Sequence, residues 1–415
     1  MIKRLLAIGF IFCCTAVAWF ILAGVTTSRT FTADGNLRKQ VEHVWGAPQV
    51  QQSPTIAWTE RVNRQIETTE DGKKIVKTAE QRVKHAIPLQ ASDIDVALKL
   101  EHRQKGLLWY ATYAVDFAGT YTIVNESGAA REVDVEWAFP LKNAVFDDLK
   151  FEIEGKPWLA PPAAAEDRLA GRLQLAAGER VVLRASYRSQ GLDRWTYQFG
   201  SGVAEVQNFR LNMRTNFSGI DFPEGSISPG HKERSGEGWS LTWEFRRLVA
   251  GVNITLAMPE KLQPGPLAGE IAAFAPVSLF FFIVVLLTIG VVKNIELHPM
   301  HFFFLAAAFF AFHLLFCYLV DQVSIHLAFA VAAATSLALV ISYLRLVVGN
   351  QFAFFAAGAA QLVYLVLFSY AFFFKGLTGL AITTGAIVTL FVLMQATAKV
   401  EWEKVFAGGT AAAPA

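Results

Sequence analysis

Cysteine is nearly absent. The chain has three in 415 residues, Cys13, Cys14 and Cys317, and each lies in an apolar run. The charged stretch from 26 to 270 has none, which excludes an internal disulfide and a thiolate metal site there. Charge is scarce as well, at 17% of residues against roughly 25% in ordinary soluble proteins. No sign dominates: 37 basic and 35 acidic side chains leave a net +2. That excludes nucleic-acid binding through bulk charge, since counterion release needs a concentrated basic face. Catalytic signatures are missing too. There is no G-x-S-x-G elbow, H-E-x-x-H pair, P-loop or dinucleotide fingerprint, and Gly200-Ser201-Gly202 is a turn-like triplet. The expectation is a protein that is not an enzyme and carries no cofactor.

What is abundant is apolar, 53% of residues, and it is unevenly spread. Residues 26–270 hold 30 basic and 31 acidic side chains, whereas 21 of the 34 phenylalanines lie after residue 270. A bilayer core takes about 20 apolar residues per helix. Leu5–Val25 meets this, preceded by Lys3 and Arg4, and reads as an uncleaved anchor rather than a signal peptide, because its apolar core is long and its end offers a poor cleavage site. Five further apolar runs follow, at about 271–292, 301–320, 325–344, 352–372 and 377–396. Small residues recur in them, as in Ala332-Ala333-Ala334 and Ala356-Ala357-Gly358-Ala359-Ala360. Small residues let helix backbones approach closely in lipid, so the five should pack as a bundle. Six spans put both termini on one side. With that side cytoplasmic, Lys3, Arg4, Lys293, Arg345, Lys399 and Lys404 lie inside and Lys375 outside, as the positive-inside rule prefers.

Residues 26–270 then face the extracytoplasmic space, and there the apolar period changes to two. Asp93–Leu100, Arg131–Trp137, Leu149–Glu154 and Trp239–Phe245 alternate, with longer β-rich runs at Leu107–Val124, Arg180–Tyr187 and Ala204–Phe217. Turn signals punctuate them: Asp71-Gly72, Gly155-Lys156-Pro157, Ala177-Gly178, Gly191 and Phe222-Pro223-Glu224-Gly225. About ten such strands predict an antiparallel β-sandwich or two. Gly35–Val44 reads as a short helix that extends the first span or links it, Pro161–Ala165 as a loop, and Gly408–Ala415 as a tail. The fold class is thus a membrane α+β protein. Its anchor is 1–25, its large extracytoplasmic β-domain 26–270, its five-helix transmembrane bundle 271–398 and its cytoplasmic tail 399–415. Eight tryptophans (Trp45, Trp58, Trp109, Trp137, Trp158, Trp195, Trp239 and Trp243) fall in the β-domain. They read as core filling, with an exposed sugar-binding face as the alternative.

Candidate functional groups are few. His43, His85, His102 and His231 sit beside charged or turn residues and read as surface histidines. Leu297-His298-Pro299-Met300-His301 opens the third span. Proline suits a first helical turn and its polar neighbours suit a cap, so capping is preferred to a metal site at His298 and His301. His313, Gln361 and Gln395 are polar groups inside spans, which are functional candidates as well as sources of interhelical hydrogen bonds. If they lined one polar path, the protein would be a transporter or channel-like module. No carboxylate falls mid-span, and Asp321, Arg345 and Lys375 lie at span ends, which disfavours an ion-coupled pump.

An anchor, a long β-rich outer domain and a five-helix bundle resemble the CreD-like inner-membrane proteins of bacteria. Several blocks carry the resemblance: Val44-Trp45-Gly46-Ala47-Pro48-Gln49 after the anchor, Ile87-Pro88-Leu89, Arg103-Gln104-Lys105-Gly106-Leu107, Tyr110–Phe117, Leu211–Gly219, Trp239–Phe245, and above all Leu297-His298-Pro299-Met300. Trp45 stands where the family has a small residue, and about 125–200 aligns poorly. The resemblance implies a non-enzymatic protein of cell-envelope integrity in the bacterial inner membrane. Its implied setting is a sensor-kinase and response-regulator system, with altered tolerance of colicins and β-lactams. The partners expected are the lipid bilayer and a periplasmic or other inner-membrane protein or wall component bound by the β-domain, and no nucleic acid. An enzyme of envelope lipids using Glu296, His298 and His301 is the third reading.

Overall fold

The computed structural model describes residues 2–70, 73–142, 145–158, 167–200, 204–374, 376–398 and 400. Asp71-Gly72, Pro161–Ala165, Ser201-Gly202, the tail 408–415 and Lys375, Lys399 and Lys404 lie outside the described residues. The chain divides into two compact units. One joins Met1–Leu37, Gln104–Trp109 and the chain from Leu262 onward; the other holds Arg38–Arg103 and Tyr110–Lys261.

The first unit is helical. Its elements are α1 (Ile2–Trp45), α2 (Pro264–Lys293), α3 (Pro299–Leu319), α4 (Ile325–Val347), α5 (Phe352–Phe373) and α6 (Thr378–Thr397). All six are long and apolar enough to cross a membrane. Helix α1 does not stop at Val25 but runs unbroken to Trp45, and α2 begins at Pro264 rather than near 271. Charge marks where an apolar run ends and not where backbone hydrogen bonding ends. Nor does α1 stand apart as an anchor: Ile8, Trp19, Leu22 and Ala23 join the same core as α2–α5. Gly265 and Gly269 let α1 in, because a Cβ at Gly265 would strike Thr30 and one at Gly269 would meet Thr27. This is a small-xxx-small contact. By contrast α6 is peripheral, and Thr389 is its one buried residue.

Helix α5 is wound unusually. Phe352–Gly358 and Leu362–Leu367 are π-helical, with three α-helical residues between them. A π-turn bonds i to i+5 and is wider than an α-turn. Mixing the two brings every fourth residue onto one line, and Ala353, Ala357, Gln361, Leu365 and Ser369 are all at most 1% exposed.

The second unit is β. Its strands are β1 (Gln49–Gln52), β2 (Thr55–Glu70), β3 (Lys73–Ile87), β4 (Leu89–Lys105), β5 (Leu108–Val124), β6 (Arg131–Ala138), β7 (Asp147–Ile153) and β8 (Lys156–Pro157). They continue with β9 (Arg168–Leu175), β10 (Arg180–Leu192), β11 (Arg194–Gln198), β12 (Ala204–Thr215), β13 (His231–Ser235), β14 (Gly238–Ala250) and β15 (Ile254–Ala257). Three sheets form, ordered β13-β14-β12-β4-β5-β10-β7-β8, β3-β2-β6-β9 and β1-β11-β15. Two pairings, β12 with β4 and β1 with β11, are parallel, so the sandwich is mixed rather than wholly antiparallel. Parallel neighbours are joined by long connections, so local hairpin signals do not reveal them.

One core lies between the layers. Phe117 of β5 packs against Trp137 of β6 and Trp195 of β11, and Tyr197 of β11 against Phe209 of β12. The alternation read in Asp93–Leu100 and Arg131–Trp137 is the in–out pattern of β4 and β6. Strands β2 and β3 pair over fifteen residues, from Ile56↔Ile87 to Glu70↔Lys73. At its base β2 also pairs β6, over Thr55–Trp58; beyond Trp58 the polar sequence hides the pair, because a two-stranded ribbon needs no apolar face. At Glu154-Gly155 the chain turns with φ of 52° and 74°. A tight hairpin demands positive φ at both central residues, and it joins β7 to β8 as the Gly155 signal predicts.

Candidate functional site

A cleft of about 220 Å³ opens in the β unit between the β2–β3 base, the start of β4, and strands β11 and β12. Ile56, Val206 and Phe209 line it, and all three are buried; Val206 and Phe209, three apart, share the face because Asn208 at φ 43° breaks the alternation between them. Pro54 and Pro88 flank strand starts, where a missing N–H costs no ladder bond. The cleft is not wholly apolar. Ser53, Thr55, Ser92 and Tyr197 contribute hydroxyls, and Glu205 stands at the rim. Arg247 of β14 donates to Glu205 at 2.6 Å, and this bond holds the carboxyl below its usual range and Arg247 above its own.

Tyr197 is 1% exposed, and its enclosed hydroxyl faces those of Tyr121, also buried, and Ser53, whose own hydroxyl donates to Phe199 O at 2.7 Å. Burial pushes both phenols well above their ordinary range, so they stay neutral and can donate. Elsewhere in this core Tyr113 donates to Arg194 O at 2.8 Å, while Gln49 donates to Ser189 Oγ at 3.0 Å and Gln190 O at 2.8 Å. Polar tips thus meet inside the sandwich, behind the apolar wall of the cleft.

No tryptophan of the β-domain is exposed. Trp137, Trp195 and Trp243 are fully buried. Trp58 is half-buried between His85, stacked at 4.4 Å, and Arg131, whose guanidinium lies 4.0 Å above the ring. Core filling, not an exposed aromatic groove, describes them.

The residues singled out in the spans are not brought together. Met300 N–H donates to His298 Nδ1 at 3.3 Å, with Pro299 in the first helical turn, which is the cap arrangement. His301 Nδ1 lies 2.7 Å from the Tyr343 hydroxyl. Among the described residues no three His, Cys, Asp or Glu side chains gather as metal ligands. His313 is 1% exposed, bonded through Nδ1 to Phe309 O at 2.9 Å and set edge-on to Trp19 at 5.5 Å. Gln361 donates to Ser336 Oγ at 2.8 Å, which itself donates to Ala308 O at 2.7 Å. Gln395 is exposed on α6. A crevice of about 170 Å³ between α5 and α6 has none of His313, Gln361 and Gln395 in its lining.

Sequence reasoning missed the cleft because its walls come from four separate stretches. Alternation could have named Phe209, Leu211 and Met213 as inward-facing, but not Val206, which is three residues from Phe209 and joins it because Asn208 at φ 43° interrupts the strand. Sequence reasoning named Gln361 as a source of interhelical hydrogen bonds but not its neighbours, where Ser278 donates to the Tyr364 carbonyl and the Tyr364 hydroxyl meets Thr389 Oγ1 at 2.8 Å. Side-chain hydroxyls of this kind re-satisfy backbone that an irregular helix frees.

No family model matches the chain, and no curated protein does either. Among solved structures, one similar chain is from Legionella pneumophila subsp. pneumophila str. Philadelphia 1 and is described as a "putative nutrient binding protein". It is 11% identical, with 48% of this chain and 74% of that chain covered at a TM-score of 0.31. So weak a likeness bears on neither the fold nor the function.

Proposed function

We propose that this protein is a non-enzymatic, multi-pass component of the bacterial inner membrane, of the CreD-like kind, serving cell-envelope integrity. In this reading both termini are cytoplasmic and the β unit is periplasmic. The β unit binds an envelope protein or wall component, and the helices hold it at the membrane. The observation that carries the binding role is the cleft itself, walled by Ile56, Val206 and Phe209, with Thr55 exposed at its mouth. Support for the membrane setting comes from six apolar helices and from Lys3, Arg4, Lys293 and Arg345 at span ends on one common side. The transport reading is the weaker one, because Gln395 is exposed while His313 and Gln361 are each engaged with a different neighbour.

The test is photocrosslinking in intact cells from Thr55, an exposed residue at the cleft mouth, with a Val206→Trp version as control. A defined adduct that disappears when Val206→Trp fills the cleft supports a binding module. No adduct, or the same adduct in the filled variant, removes it. The integrity role is tested separately: deletion of the gene should sensitise cells to envelope stress, and unchanged sensitivity and cell shape would remove that part.

A further inference from the structure

The β unit begins at Arg38, so the last turns of α1, residues 38–45, belong to it. Val41 in these turns is buried, and Arg103 of β4 lays its guanidinium 3.4 Å over the Trp45 ring. Gly46, at φ 99°, follows the helix against the Gln190 carbonyl, where a Cβ would collide. One contact in this seat is charged. Arg38 pairs at once with Glu42, one turn on at 3.3 Å, and with Asp193, which lies between β10 and β11. Asp193 is fixed from both sides: its N–H donates to Ala111 O at 2.9 Å, and its carbonyl accepts from Met258 N–H at 2.7 Å. Its φ of 61° is one that aspartate and asparagine tolerate. Glu260, just after β15, also faces Asp193, as does the phenol of Tyr113 from β5. Three carboxylates thus share one guanidinium. Lys39, Arg194 and Lys261, on the same stretches, are exposed.

A carboxylate enclosed beside two others gains more from a proton than one in water. Burial is the largest influence on Asp193 and outweighs the neighbouring Arg38, with Glu260 and Glu42 adding to it, so its pKa stands above the ordinary carboxylate range. We propose that the seat of residues 38–45 within the β unit is a proton-tightened latch, in which one proton taken up by the Arg38–Glu42–Asp193–Glu260 cluster holds these turns in place. A carboxyl whose pKa is higher when the turns are seated than in water takes up a proton on seating. Seating therefore gains as pH falls through the seated-state value, and the gain is complete below the ordinary value. At neutral pH the ionised cluster sets three negative charges against one positive, and the turn around Arg38 is held less firmly. The latch is independent of the cleft and of its occupant.

The experiment uses the full chain in nanodiscs, with a nitroxide on Gln40→Cys, an exposed position of these turns, and with Cys13→Ala, Cys14→Ala and Cys317→Ala. Electron paramagnetic resonance reads the immobile fraction of the label. Between about pH 7.5 and 4.5 it should rise about twofold or more, with a midpoint above about 3.9, the ordinary aspartate value. Asp193→Asn, a neutral isostere, should hold the label immobile throughout, which also shows the variant folded. Glu260→Gln should move the midpoint down. His43, exposed on α1, and His102, which lies 2.7 Å from the Pro259 carbonyl, are the titratable rings of these stretches. A His43→Gln, His102→Gln version should keep the rise, and losing it there overturns the latch. So does a label unchanged by pH, one that loosens in acid, or an Asp193→Asn label that still responds to pH or is mobile throughout.

Discussion

In the helical unit Gln361 reaches Ser336, Ser336 reaches the Ala308 carbonyl, and Ser278 reaches the Tyr364 carbonyl. In the β unit Tyr113 donates to the Arg194 carbonyl, and Gln49 to Ser189 Oγ and the Gln190 carbonyl. Neither unit satisfies every buried group: Trp19 Nε1, His313 Nε2 and Gln361 Oε1 lack a partner among the helices, as Trp137 Nε1 and Trp195 Nε1 do in the sandwich. Where bonds are made between apolar helices, they go to neighbouring side chains and backbone, because no water competes for them. Ion pairs separate the units more sharply. Arg29–Asp321 is the one described in the helical unit, whereas the β unit carries the rest of those described.

The largest expected effect tests whether the β unit stands on aromatic packing despite its loose polar tips. Trp137 is fully buried against Phe117, Phe139, Phe151 and Tyr187. Trp137→Ala should cost about 3–5 kcal/mol, read from chemical unfolding of the full chain in detergent by circular dichroism of the strands. A loss under about 1 kcal/mol would break the picture of one shared core.

A smaller effect is expected in the helical unit. Ser336→Ala removes the acceptor of Gln361 and should cost about 0.6–1.7 kcal/mol, the range of interhelical hydrogen bonds in membranes. Adding Gln361→Leu should recover most of it, because replacing both partners by apolar groups leaves nothing unpaired. Thermal unfolding of the three variants measures this. A double variant worse than the single one would show that Gln361 serves more than Ser336.

The smallest effect concerns the cleft rim. Because Arg247 lowers the Glu205 pKa, the pair contributes fully above the unfolded carboxylate value and is lost as pH falls through the lower folded value. NMR titration of the Glu205 carboxyl should therefore find a midpoint below about 4.3, the ordinary glutamate value. Arg247→Met should return it there. A wild-type midpoint already at the ordinary value would mean that the rim pair does not persist in solution.

Much of the architecture was legible in single residues and short windows. Asp93–Leu100 alternates because one face of β4 is in the core, and that rule needs no partner to be recognised. His298-Pro299 reads as a helix start because capping and a fixed proline φ are local. The β2–β3 ribbon was illegible for the converse reason, since pairing two polar strands leaves no pattern in either one. Helix α5 carries its signal in the four-residue recurrence of Ala353, Ala357, Gln361, Leu365 and Ser369, but a search tuned to 3.6 residues per turn passes over it.

From sequence alone came the apolar helices, the strands with one buried face, and the absence of charge of one sign, since each depends on the identity and period of neighbouring residues. Tertiary structure alone decided that Trp19 enters the helical core, that Gly265 and Gly269 admit α1, and that Gln361 finds Ser336. It also decided that Tyr197 and Tyr121 bring their hydroxyls together inside the sandwich. Whether a buried polar group is satisfied depends on atoms supplied from dozens or hundreds of residues away. No local pattern encodes that.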